Sequence, residues 1–210
     1  MKPNMQNLPR IVATRKLGSE RFHVGGDPLG FDLIEFWSWS ASDLISNATR
    51  GVLAEFLVAK ALGLSSRAVR QEWDAYDFKT PGGIKIEVKS AALIQSWYQR
   101  DFSKIQFSVK PTIGWSAETN FQDKVAKRHA DVYVLAFLFH RDQDTLDPMD
   151  LQQWGFFVLS KEFLDGRTRS QHSITLPTLR RLKIQRYGYG QLAEAVKLIA
   201  EKEFRRNETS

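Results

Sequence analysis

The sequence predicts an α/β fold, with helices flanking one mixed sheet. Three observations lead there. A helical pattern over about 41–61 precedes short alternating runs. The stretch Asp131 to His140 (DVYVLAFLFH) is apolar on both faces, as a central buried strand must be. A last helix over 191–204 carries Leu192, Val196, Ile199 and Ala200 as one stripe. The order helix, strands, helix, strand, strand, helix suits an α/β sandwich on a single mixed sheet. The 210 residues, 42% hydrophobic and 26% charged, suit one domain with a full-sized core.

Residues 1 to about 30 hold Pro, Gly and scattered charge without periodicity and read as an irregular lead-in. Residues 31–40 (FDLIEFWSWS) are aromatic-rich and are expected to pack on the body, so 1–40 form an N-terminal arm. Ser40 or Ser42 can cap a helix beginning near Ala41, and Gly63 can stop it. A hairpin follows over about 67–92. Lys104 to Lys110 alternates and predicts a third strand, and Asn120 to Arg128 a short helix. After a charged loop over Arg141–Asp150 comes a strand at Trp154–Ser160, a helical turn at Lys161–Leu164 and a short helix at Thr175–Leu182. Residues 205–210 are expected to fray. The expected domain is 41–206, with a core of about 42–160 and a C-terminal helical decoration over 161–206.

No apolar run reaches membrane-span length, and the N-terminus lacks an apolar signal core, so a cytoplasmic protein is expected. Cysteine is absent, which excludes disulfides and thiolate metal sites. The histidines His23, His129, His140 and His172 show no ligand spacing; His129 and His140 flank the buried strand and are expected to satisfy its ends. A metal would be held by oxygen, which suits Mg²⁺ or Mn²⁺. The net charge of +6 is compatible with nucleic acid but does not demand it.

The hairpin is the most informative segment. Tyr76 and Phe78 alternate with Asp77 and Lys79; Ile84, Ile86 and Val88 alternate with Lys85, Glu87 and Lys89. A three-residue turn, Pro81-Gly82-Gly83, pairs Thr80 with Ile84, Phe78 with Ile86 and Tyr76 with Val88. A two-residue turn would mix apolar and charged faces. The chosen register sets Asp77 against Glu87, and like charges directly opposite are destabilising. Such a pair calls for a cation.

Glu55 is a third acid of interest. At 100° per residue, Leu44, Ala48, Val52, Val58 and Ala59 lie near it on the helix, while Ser46, Arg50 and Lys60 fall on the far side. This puts Glu55 within the apolar stripe, where a carboxylate needs a partner, be it a local salt bridge or a metal. Glu87-Val88-Lys89 alone reads equally as a solvated strand face, and Asp77-Phe78-Lys79 offers a competing match. The conjunction of three acids and a lysine distinguishes the first.

The arrangement resembles the PD-(D/E)xK, or restriction-endonuclease-like, nuclease superfamily. Glu55 in RGVLAEFLVAKALG matches the acid of its first core helix, Asp77 in WDAYDF the aspartate of the next strand, and Glu87 and Lys89 in IEVKSA the (D/E)xK element. Tyr76 stands where proline often precedes the aspartate. The resemblance implies an αβββαβ core over about 42–160 and metal-dependent hydrolysis of DNA phosphodiester bonds, RNA not being excluded. Asp77 and Glu87 would bind Mg²⁺ or Mn²⁺ with the Val88 backbone carbonyl, Lys89 would assist the attacking water or the transition state, and Glu55 would complete the site. Gln95 matches a glutamine that follows the motif lysine in several branches; otherwise it is a surface amide.

Arg180, Arg181, Lys183 and Arg186, near Tyr187 and Tyr189, form one basic run, and Lys124, Lys127 and Arg128 another. Each could bind phosphate or only solubilise. Trp97 and Tyr98 could stack on bases or belong to the core. The alternative reading is a non-catalytic nucleic-acid-binding or scaffold module on the same fold. A homodimer is an option that the sequence leaves open.

Overall fold

The structure is a computed structural model, described here for residues 10–64, 69–70, 75–116, 120–167 and 172–207, without the side chains of 116 and 204–207. In chain order the elements are β1 (Arg21–Val24), β2 (Asp27–Asp32), α1 (Leu33–Ala41), α2 (Asn47–Ala61), β3 (Phe78–Lys79), β4 (Lys85–Ala92), β5 (Gln106–Ser108), β6 (Trp115–Ser116), β7 (Phe121–Gln122), β8 (Val132–Leu138), β9 (Trp154–Ser160), α3 (Lys161–Asp165), β10 (Ser173–Thr175), α4 (Leu176–Arg181) and α5 (Leu192–Asn207).

The main sheet has the order β3-β4-β8-β9. β4 and β8 run parallel, while β3 on β4 and β9 on β8 are antiparallel, so the sheet is mixed. All seven residues of β8 are buried, as its two-faced apolar sequence requires. One face carries Ile86, Val88, Val132, Val134, Ala136, Trp154, Phe156 and Val158 and is covered by Ala54, Leu57 and Val58 of α2 and by Leu192, Ala195, Val196 and Ala200 of α5. The C-terminal helix therefore belongs to the core rather than decorating it. Its cap-to-tail run extends through Asn207, past the point where fraying was expected. Tyr133, Leu135, Phe137, Phe157 and Leu159 point to the other face, covered by Phe107, Val109, Leu164, Ile174 and Leu179.

Three local expectations are corrected. Lys104–Lys110 yields only β5, which pairs with β10 outside the main sheet and lies on its second face. Asn120–Arg128 is not helical; it holds β7, which pairs antiparallel with β6, and Lys127 bridges back to Thr112. The helix of the 41–61 segment begins at Asn47 with Ser46 as its cap, and residues 33–41 form the separate helix α1, capped by Asp32.

The arm also departs from expectation. Its β1–β2 hairpin was not legible in the composition, and no residue of α1 is buried. Both faces of the main sheet are covered by other elements.

The hairpin register follows the prediction for as far as the pairing runs. Phe78 pairs with Ile86 and Lys79 with Lys85. The three-residue turn is closed by Thr80 N–H donating to the Ile84 carbonyl at 2.9 Å and by Gly83 N–H donating to the Thr80 carbonyl at 2.9 Å. Gly83 sits at φ +89°, a conformation that costs a side chain about 1 kcal/mol or more. Gly82 has ordinary φ and no atom closer than 3.9 Å to an added Cβ. Gly83→Ala should therefore lower stability by about 1 kcal/mol in urea unfolding, and Gly82→Ala should be within about 0.5 kcal/mol of wild type.

Candidate active site

β3 is only two residues long, so beyond Phe78 the edge of β4 loses its backbone partner. Asp77 takes that place. Its N–H donates to the Ile86 carbonyl at 3.0 Å, one residue out of the regular pairing, and the predicted Tyr76–Val88 pair does not form. The Asp77 carboxylate instead accepts the Val88 N–H at 2.6 Å. A strand residue points its N–H and C=O to the same edge, so the Val88 carbonyl faces the side on which Asp77 lies.

Glu87 and Lys89 project from β4 on the sheet face opposite α2. They form an ion pair with each other, and their side chains are 18% and 37% exposed. Tyr133 is the cross-strand neighbour of Glu87; burial, then the Glu87 charge, drive its phenol upward, so it stays neutral.

The electrostatics single out Asp77. Burial first, and then repulsion from Glu87, push its carboxyl up to about 7; Glu55 adds a smaller push, while the Val88 N–H and Lys89 oppose it. Burial alone would lower the Lys89 ammonium, but Glu87, Asp77 and Glu55 outweigh it and raise its pKa. Three carboxylates and one cation thus share one field.

Glu55 arrives differently from expectation. The buried side of α2 is Arg50, Ala54, Leu57 and Val58, whereas Val52 is 45% exposed. Glu55 lies roughly 100° from Ala54, on the flank of the buried stripe rather than at its middle. Arg50 caused the misreading: as a charge it was assigned to solvent, yet it is 3% exposed. Its guanidinium donates to Ser90 Oγ at 3.1 Å, the Ile45 carbonyl at 2.6 Å, Gln95 Oε1 at 3.0 Å and Asn47 Oδ1 at 2.5 Å. The flank position turns Glu55 to Arg70, which grips it with two hydrogen bonds of 2.5 and 3.0 Å.

Among the described residues, no three His, Asp or Glu side chains stand close enough to share one metal ion. The charges of Asp77 and Glu87 repel each other, and Glu55 is engaged by Arg70.

The remaining candidates divide. Gln95 is buried, not a surface amide: its amide donates to the Ala92 carbonyl at 2.9 Å and Ser103 Oγ at 3.1 Å while its oxygen holds Arg50. Arg128 is also buried, bonded to the Val109 carbonyl at 2.9 Å and paired with Asp165, so it is structural and leaves the surface basic run. Arg180, Arg181 and Lys183 are exposed at the end of α4, whose Leu179 packs on the sheet face that bears Glu87. Trp97 and Tyr98 are 53% and 87% exposed, not core. His129 bonds the Thr112 carbonyl at 2.9 Å and His140 the Thr145 hydroxyl at 2.7 Å, each beside an end of β8. The sequence reading missed Arg70, whose isolated basic side chain gives no pattern.

A family profile, that of bacteriophage T4 endonuclease IV, matches residues 34–176. The chain belongs to that endonuclease family. The matched stretch is about two thirds of the chain and holds Glu55, Asp77, Glu87, Lys89, Gln95 and Arg70; Arg180, Arg181, Lys183 and the β1–β2 hairpin lie outside it. No curated protein matches the chain. No described helix of this family member is long and apolar enough to cross a membrane.

The raised Asp77 carboxyl has a sign that can be measured. The folded state holds the proton more tightly than the unfolded chain, whose carboxyl titrates near 3.8. Folding stability therefore falls as pH rises through the window from about 4 to about 7, at up to about 1.4 kcal/mol per pH unit. Asn at 77 keeps an acceptor for Val88 and removes the charge. Asp77→Asn should raise the melting temperature at pH 8 by several degrees, at about 2–4 °C per kcal/mol for a chain of this size, with the gain vanishing toward pH 4. Thermal melts across pH read this directly.

Proposed function

We propose that this endonuclease-family chain is a metal-dependent nuclease of the PD-(D/E)xK type that hydrolyses phosphodiester bonds of DNA. The observation that carries the reading is the Asp77–Glu87 pair: two close carboxylates, one of them buried and pushed up to about 7, set beside a firmly charged lysine. Such a pair is costly without a cation. Its oxygens, with the Val88 carbonyl, are the donor type that a hard divalent ion takes. The chain order also supports it, with an acid on α2, an acid at the start of β3 and Glu-x-Lys on β4.

Mg²⁺ or Mn²⁺ is the proposed ion, and its contribution is charge neutralisation and activation of water near neutral pH. The chain's own residues do the rest. Asp77 and Glu87 fix the ion at the edge of β4. Lys89, held in the ammonium form by the surrounding acids, is a poor general base. Its role is to orient the attacking water and to stabilise the charge that builds on the phosphate oxygens as one P–O bond forms and another breaks. Glu55 joins the site when it leaves Arg70. The exposed Arg180, Arg181 and Lys183 are proposed phosphate contacts, and Trp97 and Tyr98 proposed stacking surfaces. Gln95 supports the site indirectly, by holding Arg50 against Ser90 next to Lys89.

One observation favours the rival reading of a nucleic-acid-binding module without catalysis: Glu55 is engaged by Arg70. Cleavage separates the two. Wild-type protein with Mg²⁺ or Mn²⁺ should cut DNA, assayed as single- and double-stranded forms with RNA in parallel. Lys89→Ala should lower the rate by at least about 10²-fold with cooperative melting retained. No cleavage of any form by wild type, or equal cleavage by Lys89→Ala, would refute the reading.

The Arg70 grip gives a second expectation. Arg70→Ala frees Glu55, so the Mg²⁺ concentration for half-maximal cleavage should fall several-fold. An unchanged metal requirement would remove Glu55 from the site.

A further inference from the structure

The N-terminal arm carries an apolar surface that the nuclease reading does not use. Helix α1, LIEFWSWSA, is apolar nearly all round, and helices of that kind are normally buried. Here none of its residues is buried: Ile34 is 53% exposed, Phe36 46%, Trp37 41% and Trp39 85%. The β1–β2 hairpin adds the ring pair Phe22 and Phe31, centroids 4.9 Å apart and 37% and 44% exposed. The arm is nevertheless ordered within itself. Ile34 N–H donates to the Gly18 carbonyl at 3.0 Å and Leu33 N–H to the Glu20 carbonyl at 3.2 Å. Gly18 lies so close under Ile34 and Trp37 that an added Cβ would meet Ile34 at 2.6 Å.

We infer that two copies of this chain associate through their arms, the exposed face of α1 and the β1–β2 hairpin of one covering those of the other about a two-fold axis. Area is the first argument. Five rings of roughly 150–250 Å² each, at these exposures, present on the order of 500 Å², and Val24 and Ile34 bring the patch near the ~800 Å² per partner that a stable interface takes. Charge is the second. Residues 10–24 carry four bases (Arg10, Arg15, Lys16, Arg21) and one acid, whereas 25–41 carry three acids (Asp27, Asp32, Glu35) and no base. Two arms packed antiparallel set the basic half of each on the acidic half of the other, as a self-complementary interface requires. The same distribution disfavours a polyanion, because the half that bears most of the aromatic surface is acidic.

The test is sedimentation of the full chain from about 1 to 100 µM, for wild type, the double variant Trp37→Glu/Trp39→Glu and Phe36→Lys. Wild type should run at twice the chain mass, and both variants at the chain mass with a single cooperative melt retained. The chain has no cysteine, so Ser40→Cys should give an oxidised covalent dimer where Lys124→Cys does not. A monomeric wild type at 100 µM, a dimer that persists in both variants, or equal cross-linking at both cysteine positions would each overturn the inference. So would oligonucleotide binding in EDTA that the Trp37→Glu/Trp39→Glu change abolishes, which would make the arm a nucleic-acid face.

Discussion

The repulsion between Asp77 and Glu87 is the constraint on which the site depends. The fold creates it and holds it in place. A three-residue turn sets the register, a two-residue β3 ends the ladder one position early, and the Val88 N–H then takes the Asp77 carboxylate in place of a backbone carbonyl. A longer β3 would have replaced that contact with ordinary pairing. The same shortness bares the edge of β4, so that side chains from both sheet faces and from the hairpin converge on it. A neutral fold of this size has no use for such a pair. The local cost, set against the chain's membership of an endonuclease family, is why we propose a bound cation.

A second, less visible element keeps that edge in order. Arg50 is a buried cation held by hydrogen bonds to a serine, an asparagine, a glutamine and a carbonyl, with the Asp43 charge acting on it as well. It ties the first turn of α2 to Ser90 on β4 and, through Gln95, to the loop that follows β4. Burial lowers its pKa, yet the hydrogen bonds are enough to keep a guanidinium there. Because Arg50 fixes the rotation of α2, it also fixes Glu55, five residues on, at the flank of the helix. Glu55 thereby reaches the field of Asp77 and Lys89 from the far side of the sheet instead of being trapped beneath it.

Much of this was legible in the chain. Alternation in Phe78 and Lys79 against Lys85 and Ile86 gave the register, and the unbroken apolar run gave β8. The stripe of Leu192, Val196 and Ala200 gave α5. What escaped were contacts that sequence periodicity does not encode. Arg50 looked like a solvent residue because burial of a charge depends on partners 40 and 45 positions away. Gln95 and Arg128 looked like surface groups for the same reason. β5 alternates like a sheet strand, yet its partner is β10 rather than β4, a choice made by tertiary packing. The arm was misjudged because aromatic content implies burial but does not say against what.

The central claim is that the Asp77–Glu87 pair is built for a divalent cation, and calorimetric titration of Mg²⁺ or Mn²⁺ in the absence of nucleic acid tests it most directly. Run in buffers of different ionisation enthalpy, it counts protons as well as ions. The account predicts binding that releases a proton from Asp77 near pH 6.5, that releases almost none at pH 8.5, and that is lost in Asp77→Asn. Absence of binding at both pH values, or binding of equal strength in Asp77→Asn, would contradict it.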